Sequence, residues 1–389
     1  MKTFIVIKTS GKARAGELHT VHGTVLTPVL CPVGTQASVK TLTPDEVRGL
    51  GMQMILANTY HLYLRPGIET IEKHGGLHKF MNWDGTILTD SGGYQVFSLA
   101  KLSKVDDNGV TFRSHIDGSI HTLTPELAVQ YQESLGSDIA MVLDHVPAND
   151  ESRERVYAAM LRTHAWAARC LQAHRRRDQS LYAIVQGGVF PELREQSAKV
   201  LTAMGFDGFA IGGLSIGEPK QITFEIVGQT AAMLPADKPR YLMGVGAPED
   251  IFEGITRGID IFDCALPTRV ARNGALYTKT GRIDILNARH KEQTAPLEDD
   301  CDCYACRHFS AGYLHHLFRS QELLAYRLAT IHNLAFMQRM IVMIRQSILG
   351  GSFEKVKADF MSHYRPTDEN TRLDQKKKWL EAREKQAPG

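Results

Sequence analysis

Eight short apolar bursts, each running directly into a polar or glycine-containing group, constrain the fold of this 389-residue chain more than any other feature. They are Val29–Val33 before Gly34-Thr35-Gln36, Met54–Ala57 before Asn58-Thr59, Ile87–Thr89 before Asp90, and Ile139–Leu143 before Asp144. The other four are Leu181–Val185 before Gln186-Gly187-Gly188, Gly208–Ile211 before Gly212-Gly213, Tyr241–Met243 before Gly244, and Ile259–Phe262 before Asp263. Short runs rich in Ile, Val and Leu read as strands buried on both faces, the signature of a parallel sheet.

Helix-period stretches lie between several bursts. In Arg153–His174, Val156, Met160, Thr163, Ala167 and Leu171 recur at threes and fours with charges elsewhere. Thr43-Pro44-Asp45-Glu46 and Thr124-Pro125-Glu126 each read as an N-cap, a first-turn proline and an acid beside the helix dipole. Eight strand-plus-helix units predict an α/β fold, a (β/α)8 TIM barrel. A doubly wound sheet fits less well, because no GxGxxG turn with a downstream acid is present. Residues 3–22 predict a hairpin, Phe4–Thr9 and Glu17–His22 around Ser10-Gly11-Lys12, that caps one end of the barrel. The expected organisation is a barrel with its hairpin over 1–290, a metal-binding subdomain over 291–345 with a long helix at about Ser320–Leu349, and a helical tail over 346–389. That tail is polar from Asp359 and carries Lys376-Lys377-Lys378 and Trp379.

Lys plus Arg number 45 against 43 acids, a net charge of +2, so any partner must be chosen by local patches. No apolar run approaches the ~18 residues of a membrane span, and the N-terminus does not read as a signal peptide, so the expected location is the cytoplasm. Six cysteines are too few for a disulfide scaffold, and three crowd into Cys301-Asp-Cys303-Tyr-Ala-Cys306. Three thiolates and one histidine would make the closed Cys3His site of structural zinc. Spacing leaves His308, His315, His316 and His332 all open as the fourth ligand. A redox role for the cluster lacks a thioredoxin-like strand context.

In a (β/α)8 barrel, polar residues at strand C-terminal ends surround one pocket. Asp90, Asp144, Gln186 and Asp263 all fall there. Such carboxylates can act as nucleophile, general acid or base, or acceptor for the N–H groups of a heterocycle, and they permit glycosidic-bond chemistry. Thr89-Asp90-Ser91-Gly92-Gly93-Tyr94-Gln95 adds two glycines and an aromatic face suited to a flat base. Ile211-Gly212-Gly213-Leu214 could offer backbone groups to a base edge. Arg269 and Arg272 follow Asp263 closely enough to meet a phosphate at the pocket mouth.

Taken together, these segments resemble the tRNA-guanine transglycosylases, also called queuine tRNA-ribosyltransferases, in their bacterial form. The resemblance runs from Thr9-Ser10-Gly11-Lys12-Ala13-Arg14 through Asn58-Thr59-Tyr60-His61-Leu62 and Leu64-Arg65-Pro66-Gly67 to the cysteine cluster. Its most specific pieces are the Thr89–Gln95 segment, Tyr241-Leu242-Met243-Gly244-Val245-Gly246 and Phe262-Asp263-Cys264-Ala265-Leu266-Pro267-Thr268-Arg269. The resemblance implies exchange of the wobble-position guanine in tRNAs with GUN anticodons for a 7-deazaguanine, within queuosine biosynthesis. It implies Asp263 as the nucleophile on ribose C1′ and Asp90 as the proton-transfer residue. Asp144, Gln186, Gly213 and Leu214 would hydrogen-bond the base, while Tyr94 and Met243 would sandwich it. The implied zinc ligands are Cys301, Cys303, Cys306 and His332, one structural Zn2+ per chain. Arg269 and Arg272 would lie near an extruded anticodon-loop nucleotide, and the implied assembly is a homodimer.

One departure bears on the incoming base. Bacterial relatives usually follow the base-recognition Asp with Glu-Cys, whereas this chain reads Asp144-His145-Val146-Pro147. Relatives that take the bulkier queuine tend to have Val at the place of Val146 but Gly at the place of Ile216. A branched Ile216 crowds the region beyond the 7-aminomethyl group, so the expected substrate is 7-aminomethyl-7-deazaguanine, preQ1. Queuine itself is the alternative. A barrel glycosidase or a catalytically silent partner subunit accounts for less of the sequence.

Overall fold

The computed structural model describes residues 3–99 and 103–368, so the Lys376–Lys378 run and Trp379 lie outside the described residues. All eight bursts are strands of a single sheet: β4 (Val29–Pro32), β5 (Met54–Asn58), β6 (Thr86–Asp90), β10 (Ile139–Met141), β11 (Ser180–Val185), β12 (Gly208–Ile211), β13 (Arg240–Leu242) and β14 (Ile261–Cys264). Neighbours pair in parallel in the order β4-β14-β13-β12-β11-β10-β6-β5. A Val33–Leu56 bridge, with Gly34 N donating to Leu56 O at 2.6 Å, joins the last pair and closes the sheet into a (β/α)8 barrel. The near-complete burial of these strands explains why their sequences show no alternation.

The expected N-caps form. Thr43 Oγ1 accepts from Glu46 N at 3.3 Å while Glu46 Oε2 accepts from Thr43 N at 2.9 Å, a reciprocal capping box. Thr124 Oγ1 accepts from Leu127 N at 3.2 Å. The helix read over Arg153–His174 spans Arg153–Ala173 and packs beside the helix Pro125–Leu135.

Two insertions go beyond the sequence reading. The N-terminal hairpin is a three-stranded meander, β1 (Phe4–Ser10), β2 (Ala13–Thr20) and β3 (Gly23–Thr27). A second antiparallel sheet, β7 (Ser103–Val105), β8 (Val110–Arg113) and β9 (Ile120–Leu123), is inserted between β6 and β10. The meander covers the end of the barrel where the strands begin, since Thr20 bonds Thr86 at the start of β6 and His22 bonds Asp138 just before β10. Arg14 of β2 reaches the buried Asp260 ahead of β14 and also donates to Ala236 O at 2.9 Å and Lys238 O at 2.8 Å. Breaking such a buried pair leaves an uncompensated charge worth about 3–5 kcal/mol. Arg14→Ala is therefore expected to lower the urea midpoint strongly, whereas the double change Arg14→Met with Asp260→Leu recovers most of the loss. Equal midpoints for Arg14→Ala and the unchanged chain would show that the pair does not anchor the cap.

Beyond the barrel, β15 (Ala275–Thr278) and β16 (Gly281–Asp284) form a hairpin that leads to the cysteine cluster. The long helix starts at Leu323 rather than Ser320, because Gln321 adopts φ +56° and separates it from the helix Ala311–Arg319. It runs to Leu349, is apolar on nearly all sides, and packs on the helix Leu266–Arg272 and on the meander. Its Arg345 donates to Gly16 O at 2.8 Å and to Thr27 O. A last helix, Phe353–His363, docks through Phe353 and through Phe360, whose ring lies 4.7 Å from Phe252. No helix among the described residues is long and apolar enough to cross a membrane.

Candidate active site and metal centre

Because all eight strands run the same way, the residues that close the bursts gather at one end of the barrel. Asp90 ends β6, Asp263 is the third residue of β14, Asp144 follows β10, and Gln186 follows β11. All four are buried. Asp263 Oδ1 accepts from Tyr241 OH at 2.5 Å and from Gly244 N at 2.8 Å, and Oδ2 accepts from no described residue. Burial raises the Asp263 pKa, and those two hydrogen bonds oppose the rise. One oxygen is thus clamped, while the other accepts no hydrogen bond from a described residue.

Asp90 is held by three donors: Asn58 Nδ2 and Gln95 Nε2 (2.8 Å) on Oδ2, and Thr59 N (3.0 Å) on Oδ1. Burial pushes its pKa up to about 6 against these bonds, and the charge of Asp263 adds to the rise. Asp144 accepts from Gln186 Nε2 at 2.7 Å, and burial pushes it up to about 7. Carboxyl groups spread in this way can divide labour, one holding a proton near neutrality while another stays ionised.

Glycines let these groups come close. A Cβ at Gly93 would stand 3.0 Å from Asp144 O, and one at Gly213, where φ is +66°, would stand 2.3 Å from Gln186 Oε1. That Gln186 oxygen is buried without a partner among the described residues. Leu214 packs its side chain into the core. Tyr94 is half exposed and Met243 half buried. Arg269 and Arg272 lie on the helix that follows β14, Arg269 exposed and Arg272 half buried, with its pKa lowered by burial and by Arg269. His145 meets Arg162 at 3.1 Å, and burial holds it down to about 4, so it is neutral. The loops carrying Val146 and Ile216 are neighbours, since a Cβ at Gly217 would lie 3.1 Å from Asn149.

The cysteine cluster forms a second centre. Cys301, Cys303, Cys306 and His332 are buried, with their ligand atoms all within 4.8 Å of one another. The His332 Nδ1 to sulfur distances are 3.8, 3.7 and 3.4 Å. A tetrahedral ion with ordinary zinc bond lengths requires nitrogen–sulfur edges of ~3.6 Å, so the donor set fits a metal of that size. His332 Nε2 lies 2.7 Å from Tyr277 O, which orients Nδ1 toward the cysteines. Arg339 donates to Cys301 Sγ at 2.8 Å and supplies positive charge beside the thiolates.

The family model described as queuine tRNA-ribosyltransferase matches residues 9–366. Proteins of that name are 61% identical in Dehalococcoides mccartyi, over 100% of this chain and 99% of theirs, and 54% identical in Moorella thermoacetica, over 93% and 98%. The chain belongs to the queuine tRNA-ribosyltransferase family. Within this family member, three side chains that support the carboxylates were given no role from the sequence: Asn58, Gln95 and Tyr241. Asn58 could have been found as the polar residue closing the second burst. A tyrosine within a strand buried on both faces likewise needs a partner for its hydroxyl.

Proposed function

We propose that this tRNA-ribosyltransferase exchanges the wobble-position guanine of tRNAs with GUN anticodons for preQ1 by double displacement. The observation that carries the reading is Asp263, with Oδ1 fixed by Tyr241 and Gly244 while Oδ2 accepts nothing from described residues. Asp263 Oδ2 attacks ribose C1′ as the glycosidic bond to guanine breaks, and the leaving base takes a proton from Asp90. PreQ1 then displaces the carboxylate, returns a proton to Asp90 and leaves the anomeric configuration unchanged. Asp144, Gln186 and the backbone at Gly213 and Leu214 would meet the base edge, with Tyr94 and Met243 on its faces. Arg269 and Arg272 would face the anticodon loop. An extruded nucleotide is required, because the reacting carbon is shielded within a stacked loop.

Labelled guanine incorporated into a GUN-anticodon RNA, and absent from the same RNA without the wobble guanine, is the expected result. No incorporation would remove the reading. In side-by-side assays preQ1 is expected to exchange faster than queuine, because Ile216 narrows the region beyond the aminomethyl group. Equal or faster queuine turnover would reverse that assignment.

The metal is read as structural Zn2+, since four protein donors leave no position for substrate or water. The chain is further read as a homodimer. Half-exposed rings at Tyr304 and Tyr313, the latter stacked on Phe309 at 5.3 Å, form a surface that pairing would cover. A single monomeric species in sedimentation at assay concentration would count against it.

A further inference from the structure

Arg194 is the fourth residue of the helix Pro191–Thr202 and is fully buried. Its Nε donates to Gly188 O at 2.8 Å, and one terminal nitrogen donates to Val185 O at 2.7 Å and to Gly212 O at 2.8 Å. The other terminal nitrogen has no partner, and no carboxylate bonds the guanidinium among the described residues. Burial lowers its pKa to about 9, partly offset by Glu218, so it stays cationic at neutral pH. A buried cation without a paired acid is costly, and an apolar side chain would fill the same space at less cost.

The carbonyls it holds bracket the base-facing residues. Val185 and Gly188 flank Gln186, and Gly212 immediately precedes Gly213. In a trans peptide the C=O and the following N–H point in opposite directions. With Gly212 O drawn onto Arg194, the Gly213 N–H is turned away from the guanidinium, and no described residue accepts from it. On the far side of the same loop, Glu218 accepts from Ile216 N and Gly217 N, both at 3.2 Å, and from Ser215 N. Arg194 thus holds the Gly212–Gly213 peptide, and Glu218 holds the turn Ser215–Gly217 that follows it.

We propose that Arg194 is a positioning residue for the base slot, holding the Gly212–Gly213 peptide so that the Gly213 N–H can donate to an acceptor on the exchanged base. This rests on the base-exchange reading above. The test is labelled-guanine exchange by full-length Arg194→Met and Arg194→Lys variants, with KM measured separately for base and for tRNA. Losing one oriented donor is expected to raise the base KM about tenfold in Arg194→Met. The tRNA KM stays unchanged, and Arg194→Lys recovers part of the loss. An unchanged base KM in folded Arg194→Met overturns the proposal, as does a parallel rise in both KM values with no recovery by lysine. If the methionine variant does not fold, the lysine variant decides by the same split between base and tRNA. An unchanged chain that exchanges no guanine overturns the functional reading and this inference with it.

Discussion

Asp263→Asn is expected to abolish the denaturation-resistant adduct with tRNA and to reduce guanine exchange by about 10⁴-fold or more. The amide keeps the size of the carboxyl group and can still accept at the Oδ1 position from Tyr241 and Gly244, so the pocket is preserved. What disappears is the anionic oxygen that the proposed mechanism bonds to C1′. Asp90→Asn makes the contrast. On the proposed roles it leaves the nucleophile intact and removes proton transfer, so exchange is expected to fall by about 10²–10⁴-fold while adduct still accumulates with time. An adduct in Asp263→Asn that survives denaturing electrophoresis, or a deeper loss in Asp90→Asn than in Asp263→Asn, would assign the nucleophile elsewhere.

The positions of both acids were legible because barrel strands are buried on both faces, so their sequences are apolar throughout and the first polar residue marks the mouth. Asp90 and Asp263 stand where the apolar runs of β6 and β14 stop. The same logic could not reveal β3 or the β7–β9 sheet. Ile120 is mostly exposed, Ser103 and Lys104 lie on the surface, and strands this short and solvated carry little hydrophobic pattern. In β2, Ala13, Arg14, Ala15 and Gly16 are all buried, so small and charged residues occupy core positions and mask the strand. The support of the site was harder still to read. Arg194 sits in the first turn of its helix among ordinary helix-forming residues, and only three-dimensional proximity to Gly188 O and Gly212 O points to the role proposed for it. Likewise spacing alone left four histidines open as metal ligands; the family resemblance implied His332, and the helix Leu323–Leu349 crossing the cysteines brings it there.

That crossing sets the second large effect. Cys303→Ser is expected to reduce bound metal from one ion per chain to none and to lower the melting temperature by at least ~5 °C. The size follows from what the ion would join. Three thiolates come from the 301–306 segment and the fourth donor from the middle of the long helix, while His332 Nε2 adds the β15 strand through Tyr277 O. Three thiolates with one divalent ion carry a net charge of about −1, which Arg339 on Cys301 balances. Without the ion, ionised thiolates would repel one another in a buried space, and protonated ones would leave the segment without its tether. The long helix stays packed into the barrel core through Phe336, Met337, Met340, Ile341 and Ile344, so loss of the ion is expected to loosen the cysteine segment first. Hydrogen exchange in Cys303→Ser should rise around 298–308 while the β11 and β12 amides stay protected. Metal analysis finding no ion in the purified unchanged chain, or Cys303→Ser retaining both its ion and its melting temperature, would remove the structural-metal assignment.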